Sequence, residues 1–216
     1  MNWVVSTFST SIGKKYLMAV TGMLFLLFLA VHLVGNLTIY GGAAAFNSYS
    51  DHLHALGPLL AAAEVLLVFA ALLHITMGVI LFFQNRRARP VSYAVDKSGG
   101  GGRTIFSQTM PYTGLAILVF VIMHLTAVSR FFVDRTQKTA FQVVTELFSN
   151  EIYVALYMVF MVIVAFHVRH GLWSAFQTVG ANHPKYMPFF EKLSAIFAII
   201  VGVGFGTLPI AIAIMS

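Results

Sequence analysis

Four histidines in this chain fall inside long apolar runs: His32, His74, His124 and His167. An imidazole surrounded by hydrocarbon needs a hydrogen-bond partner or a metal. Their positions along the runs sort them by depth. His32 and His124 come late in segments that cross in one direction, and His74 and His167 come late in segments that return. The first two therefore share the outer half of a bilayer and the second two the inner half. Two imidazoles facing each other across a helix bundle can ligate a haem iron from both sides. With both axial positions filled there is no place for oxygen, so the chemistry expected of such a site is electron transfer. Haems at two depths would form a relay across the membrane. Each ligand's other ring nitrogen is expected to donate to a carbonyl or a side chain. A single histidine in a span can equally serve as a helix-to-helix hydrogen bond; the case for haem rests on four in matched pairs.

The elements that must carry these residues are transmembrane helices. Of the 216 residues, 59% are hydrophobic and 9% charged, which excludes an ordinary soluble domain. Five stretches are long enough to cross a hydrocarbon core of roughly 30 Å: Tyr16–Tyr40, Leu59–Gln84, Met110–Phe132, Ile152–Phe176 and Leu193–Met215. The fold class expected is an all-α integral membrane protein. Residues 1–216 then form a single transmembrane domain, with no soluble catalytic domain. The first stretch runs on as a full span and reads as retained, not as a cleaved signal. The absence of cysteine excludes disulfides, thiolate-held iron–sulfur clusters and covalent haem attachment. Any haem here is of the noncovalent b type.

Spans one and three resemble each other, and so do spans two and four. Thr21-Gly22 precedes His32-Leu33 as Thr113-Gly114 precedes His124-Leu125, and His74, Gly78, Phe83 and Gln84 recur as His167, Gly171, Phe176 and Gln177. The offsets are 124 − 32 = 92 and 167 − 74 = 93. The first four spans are thus one helical hairpin used twice, which predicts a pseudo-twofold axis along the membrane normal. Each histidine of a pair comes from one copy, so the members can face each other across that axis.

Gly22 and Gly114 lie ten residues before His32 and His124, about 15 Å along a helix, and so near the depth of the inner pair. There a bare backbone would admit a flat macrocycle, or else serve close helix packing. Gly78 and Gly171 admit the same two readings. His170 competes with His167 as a ligand, and the repeat selects His167. His170 could instead meet a haem propionate or a quinone. Arg169 is a propionate candidate, because a buried carboxylate needs a cation or donors, or it serves only to set topology.

The net charge of +6 does not point to nucleic acid, because the basic residues flank spans. With the N-terminus inside, ten Lys and Arg fall inside and three, Arg130, Arg135 and Lys138, fall outside. That distribution predicts a cytoplasmic N-terminus. Lys97–Arg103, with four successive glycines, reads as a flexible cytoplasmic connection without the G-K-[ST] ending of a phosphate loop. Span three is expected to open at Pro111. Asn36–Gly57 reads as a small-residue outer connection.

Several short motifs occur in order: Gly13-Lys14-Lys15, Met18-Ala-Val-Thr-Gly22, His32-Leu-Val-Gly-Asn-Leu37, Ala45-Phe-Asn-Ser-Tyr49, Arg89-Pro-Val-Ser-Tyr93 and Phe166-His-Val-Arg-His-Gly-Leu-Trp173. In these the chain resembles the cytochrome b membrane-anchor subunit of succinate dehydrogenase and fumarate reductase, in its five-helix, two-haem form. The resemblance implies His32 and His124 as ligands of an outer haem b, and His74 and His167 of an inner one. It implies a flavoprotein and an iron–sulfur subunit on the cytoplasmic face, a bacterial-type cytoplasmic membrane, and no dicarboxylate site on this chain. It further implies a membrane quinone, commonly menaquinone, near the outer haem. Some members carry a glutamate two residues before the fourth-span ligand for proton transfer; here that residue is Ala165, which puts that proton path in doubt.

Quinone chemistry also needs protonatable groups. Glu64, ten residues before His74, lies near the depth of the outer pair, where a carboxylate is costly and usually functional. Asp51, His52 and His54 are further candidates, with an interfacial, solvated role as the other reading. Two alternative functions remain in view: the cytochrome b subunit of a hydrogenase or formate dehydrogenase, and a transporter that uses histidines to relay protons or bind a metal. The doubled hairpin and the motifs favour the first reading over both.

Overall fold

The structure, a computed structural model, describes residues 2–88 and 104–215. The glycine-rich connection Lys97–Arg103 and the motif at residues 89–93 lie outside the described residues. The described residues form helices α1 (Trp3–Ser9), α2 (Ser11–Leu37), α3 (Gly42–Ala55), α4 (Pro58–Arg87), α5 (Ile105–Val128), α6 (Ala140–Phe148), α7 (Glu151–Thr178) and α8 (Met187–Met215), with a 3₁₀ turn at Thr38–Gly41. Five segments are long and apolar enough to cross a membrane: the run beginning with α2, then α4, α5, α7 and α8. The regular secondary structure among the described residues is all helical, as composition predicted.

Local chemistry explains where each helix starts. The Thr10 hydroxyl accepts from Gly13 N–H at 3.0 Å to open α2, and the Asn150 side chain accepts from Ile152 N–H at 2.9 Å to open α7. Gly57, with φ of 53°, turns the chain into α4, whose first residue is Pro58. Helix α5 departs from expectation. Thr104 and Ser107 form a reciprocal capping box that starts it at Ile105, which leaves Pro111 inside the second turn and not at the start. It ends at Val128, short of Phe132, where the Arg135 guanidinium donates to the Val128 carbonyl at 2.6 Å. Helix α8 likewise begins six residues earlier than its apolar stretch, at Met187.

Packing follows lipid rules, not aqueous ones. Many large apolar side chains face outward, among them Leu27, Val31, Val65 and Ile199, as expected where the solvent is hydrocarbon. The buried stripe of α7, Tyr157, Met161, Val164, Val168, Leu172 and Ala175, recurs every three or four residues, and its first four members share one core cluster with Ala198, Val201, Leu208 and Ile212 of α8. Small residues let the two helices approach: a Cβ on Gly202 would stand 2.9 Å from the Ala165 methyl. Ala165 therefore faces α8. Helix α2 packs against both α4 and α7, and α5 against α7, whereas α4 and α5 touch only lightly.

The small-residue connection between Asn36 and Gly57 contains a helix, α3, and the connection after span three contains α6. Helices α3 and α6 follow equivalent spans of the two repeats and contact each other over the outer end. Asn47 on α3 accepts from Phe141 N–H at 2.9 Å, capping α6. Phe46 is buried. Tyr49 lies so close to Gly35 that any Cβ there would collide with its ring.

Candidate haem-binding histidine pairs

The inner histidines are held by matching hydrogen bonds in the two copies of the hairpin. Thr21 Oγ1 lies 3.0 Å from His74 Nδ1, and Thr113 Oγ1 lies 3.1 Å from His167 Nδ1. Each hydroxyl also sits against its own helix backbone, Thr21 at 2.7 Å from the Leu17 carbonyl and Thr113 at 3.1 Å from the Thr109 carbonyl. A hydroxyl has one proton; given to the helix carbonyl, it leaves the oxygen to accept from an imidazole Nδ1–H, and in that tautomer Nε2 would carry the lone pair a metal requires.

The glycines sit where this geometry would use them. A Cβ on Gly22 would stand 3.5 Å from His74 Cε1, and one on Gly114 would stand 3.5 Å from His167 Cε1. Gly78 and Gly171, one turn beyond each histidine, do not serve close packing among the described residues. A Cβ on Gly171 would meet nothing within 4 Å, and one on Gly78 only the Met18 methyl at 3.9 Å.

The rings of the outer pair approach each other edge-on. The His32 and His124 ring centroids are 6.0 Å apart with planes at 85°. Two metal–nitrogen bonds of about 2 Å, with each ring centre roughly 1 Å behind its nitrogen, give about 6 Å. Phe28 stacks on His32 at 5.1 Å and Phe120 on His124 at 5.6 Å. These two phenylalanines are also repeat partners, 120 − 28 = 92. Phe205 of α8 lies against His32 at 5.5 Å. Asn36 donates to the His32 carbonyl at 2.8 Å. His124 Nδ1 lies 3.3 Å from the Tyr157 hydroxyl.

The remaining sequence candidates divide by location. His170 lies beside Trp173, with ring centroids 5.8 Å apart. Arg169 is 3.9 Å from a Glu191 carboxylate oxygen, and its guanidinium stands 4.0 Å above the Phe106 ring, so it has partners of its own. Glu64 is half-buried on α4. Asp51, His52 and His54 are exposed on α3; His52 Nδ1–H donates to the Ser48 carbonyl at 2.7 Å and His54 Nδ1–H to the Ser50 carbonyl at 2.6 Å. Sequence reasoning missed Thr21, Thr113, Phe28, Phe120 and Tyr157 as neighbours of the histidines. The repeat offset carried the signal for the first four, because each recurs 92 residues away.

Among the described residues no three His, Cys, Asp or Glu side chains gather as a closed cage for a bare ion. Paired imidazoles suit a metal whose other ligands come with it. A threonine oxygen beside each inner Nδ1, the 6.0 Å approach of the outer rings and glycine backbones beside the inner rings would fit haem. Bound between two imidazoles, haem supplies a one-electron ferric/ferrous couple.

No protein-family model matches the chain, and no solved structure matches it. The chain is similar to the succinate dehydrogenase cytochrome b558 subunit of Bacillus subtilis (strain 168), being 28% identical over 177 residues that make up 81% of each chain. The likeness to cytochrome b membrane-anchor subunits of succinate dehydrogenase, read first from short motifs, thus extends over most of the sequence.

Proposed function

We propose that this chain is the di-haem b membrane anchor of a succinate dehydrogenase or fumarate reductase complex, passing electrons between an iron–sulfur subunit and membrane quinone. The observation that carries the reading is the opposition of His32 and His124 at 6.0 Å, one from each copy of the hairpin. His32 and His124 are assigned to the outer haem, and His74 and His167 to the inner one. The matched threonine bonds to His74 and His167 support the second pair. The relative's name supports succinate dehydrogenase as the parent complex. Its other subunits, a flavoprotein and the iron–sulfur protein, are assigned to the cytoplasmic face, where the N-terminus of this chain and most of its basic residues are placed by charge. Menaquinone is the quinone assigned, with Glu64 the protonatable group placed nearest the outer pair by depth. The protein resides, on this reading, in the bacterial cytoplasmic membrane.

The test is an absorption spectrum of the complex purified in detergent and reduced with succinate. Six-coordinate b-type bands that develop on adding succinate are the expected result. A colourless preparation from cells well supplied with iron and porphyrin would refute the haem reading. Bands that respond to hydrogen or formate and not to succinate would reassign the parent complex.

A further inference from the structure

The two histidine pairs are not built alike, and the difference lies at one pair of repeat-related positions. Both inner rings face a threonine. Of the outer rings, His124 faces the Tyr157 hydroxyl at 3.3 Å. Tyr157 lies ten residues before His167 on α7, and the residue ten before His74 on α4 is Glu64, with 157 − 64 = 93. Among the described residues no hydrogen bond joins Glu64 to His32, whose ring has the Asn36 amide nitrogen at 3.4 Å instead. Tyr157 is 6% exposed. Its ring is fixed edge-on between Phe120 at 5.1 Å and Phe148 at 4.9 Å, so the phenol oxygen is aimed and not free to swing.

We infer that Tyr157 is a positioning residue of the outer site, its phenol oxygen accepting from His124 Nδ1–H so that Nε2 points into the space between His124 and His32. This rests on the haem reading above. An imidazole that donates from Nδ1 is a more basic ligand, which favours the ferric state. Removing the acceptor makes the ligand less basic and raises the potential of the outer haem. The inner haem, whose ligands donate to Thr21 and Thr113, is untouched.

The experiment is redox titration of the purified complex carrying Tyr157→Phe, with optical and electron-paramagnetic detection of each low-spin haem and a haem count. Phenylalanine keeps the ring between Phe120 and Phe148, so the fold is preserved. The expected result is two haems retained, the outer one shifted about tenfold toward the ferrous state, about 59 mV upward for a one-electron couple, and the inner one unchanged. Unchanged potentials for both haems or a shift confined to the inner haem would overturn the assignment; loss of the outer haem alone would support it, because the ring stays between Phe120 and Phe148 and only the hydroxyl beside His124 is gone. A parent complex without haem fails the underlying reading, and is recognised before any variant is measured.

Discussion

Replacing Thr21 by valine isolates one hydrogen bond of the inner site. The side chain is 7% exposed, and valine matches its shape, so packing is kept while the oxygen 3.0 Å from His74 Nδ1 is lost. In the free protein the imidazole escapes the loss by moving its proton to Nε2. Once Nε2 is committed to a metal that escape is closed, and Nδ1–H loses the threonine oxygen as its acceptor. The penalty, about 1–3 kcal/mol for an unsatisfied buried donor, therefore falls on the haem-bound state alone. It corresponds to roughly 5- to 150-fold weaker retention. The assay is haem per protein by pyridine haemochrome on the purified complex, before and after incubation with a haem-scavenging protein. The inner haem should leave faster while the outer one stays. Because Thr113 makes the equivalent bond at 3.1 Å, Thr113→Val should have a comparable effect, and the double variant a larger one. Parental retention of the inner haem would refute the role of the threonines. Loss of the outer haem instead would refute the assignment of depth.

The pairing itself is tested by alanine variants. His32→Ala and His124→Ala should each remove the outer haem and spare the inner one, as scored by haem counting with redox titration; if His74→Ala removes the same haem as His32→Ala, the pairing is wrong. His167→Ala should lower haem content more than His170→Ala does, since the threonine bond goes to His167. The reverse order would reject the choice made from the repeat.

The spans and the approach of His32 to His124 were legible because both depend on distance along a helix, which sequence states directly. Ten residues mean about 15 Å, so depth could be counted. Azimuth could not. Whether Thr21 points at His74 or at lipid depends on how α2 is rotated against α4, and nearly every neighbouring side chain on both faces is apolar, so amphipathic pattern gives no rotation. Glu64 shows the limit from the other side: its depth matches the outer pair, yet among the described residues no bond to His32 follows from that depth. Boundaries failed for a related reason. Apolar length marks where hydrocarbon begins, whereas α5 starts at a capping box of Thr104 and Ser107.

The doubled hairpin divides the work between its ends. At the inner end both copies keep the same threonine, histidine and glycines, and the two rings meet like partners at like distances. At the outer end the copies keep the phenylalanine and the histidine but differ at the position opposite, tyrosine in one half and glutamate in the other. In lipid a polar side chain is retained only where it has a partner or a task. Tyr157 has His124 as its partner. Glu64 has no such bond within the described residues, so the proton role proposed for it rests on its depth alone, ten residues before His74 on α4.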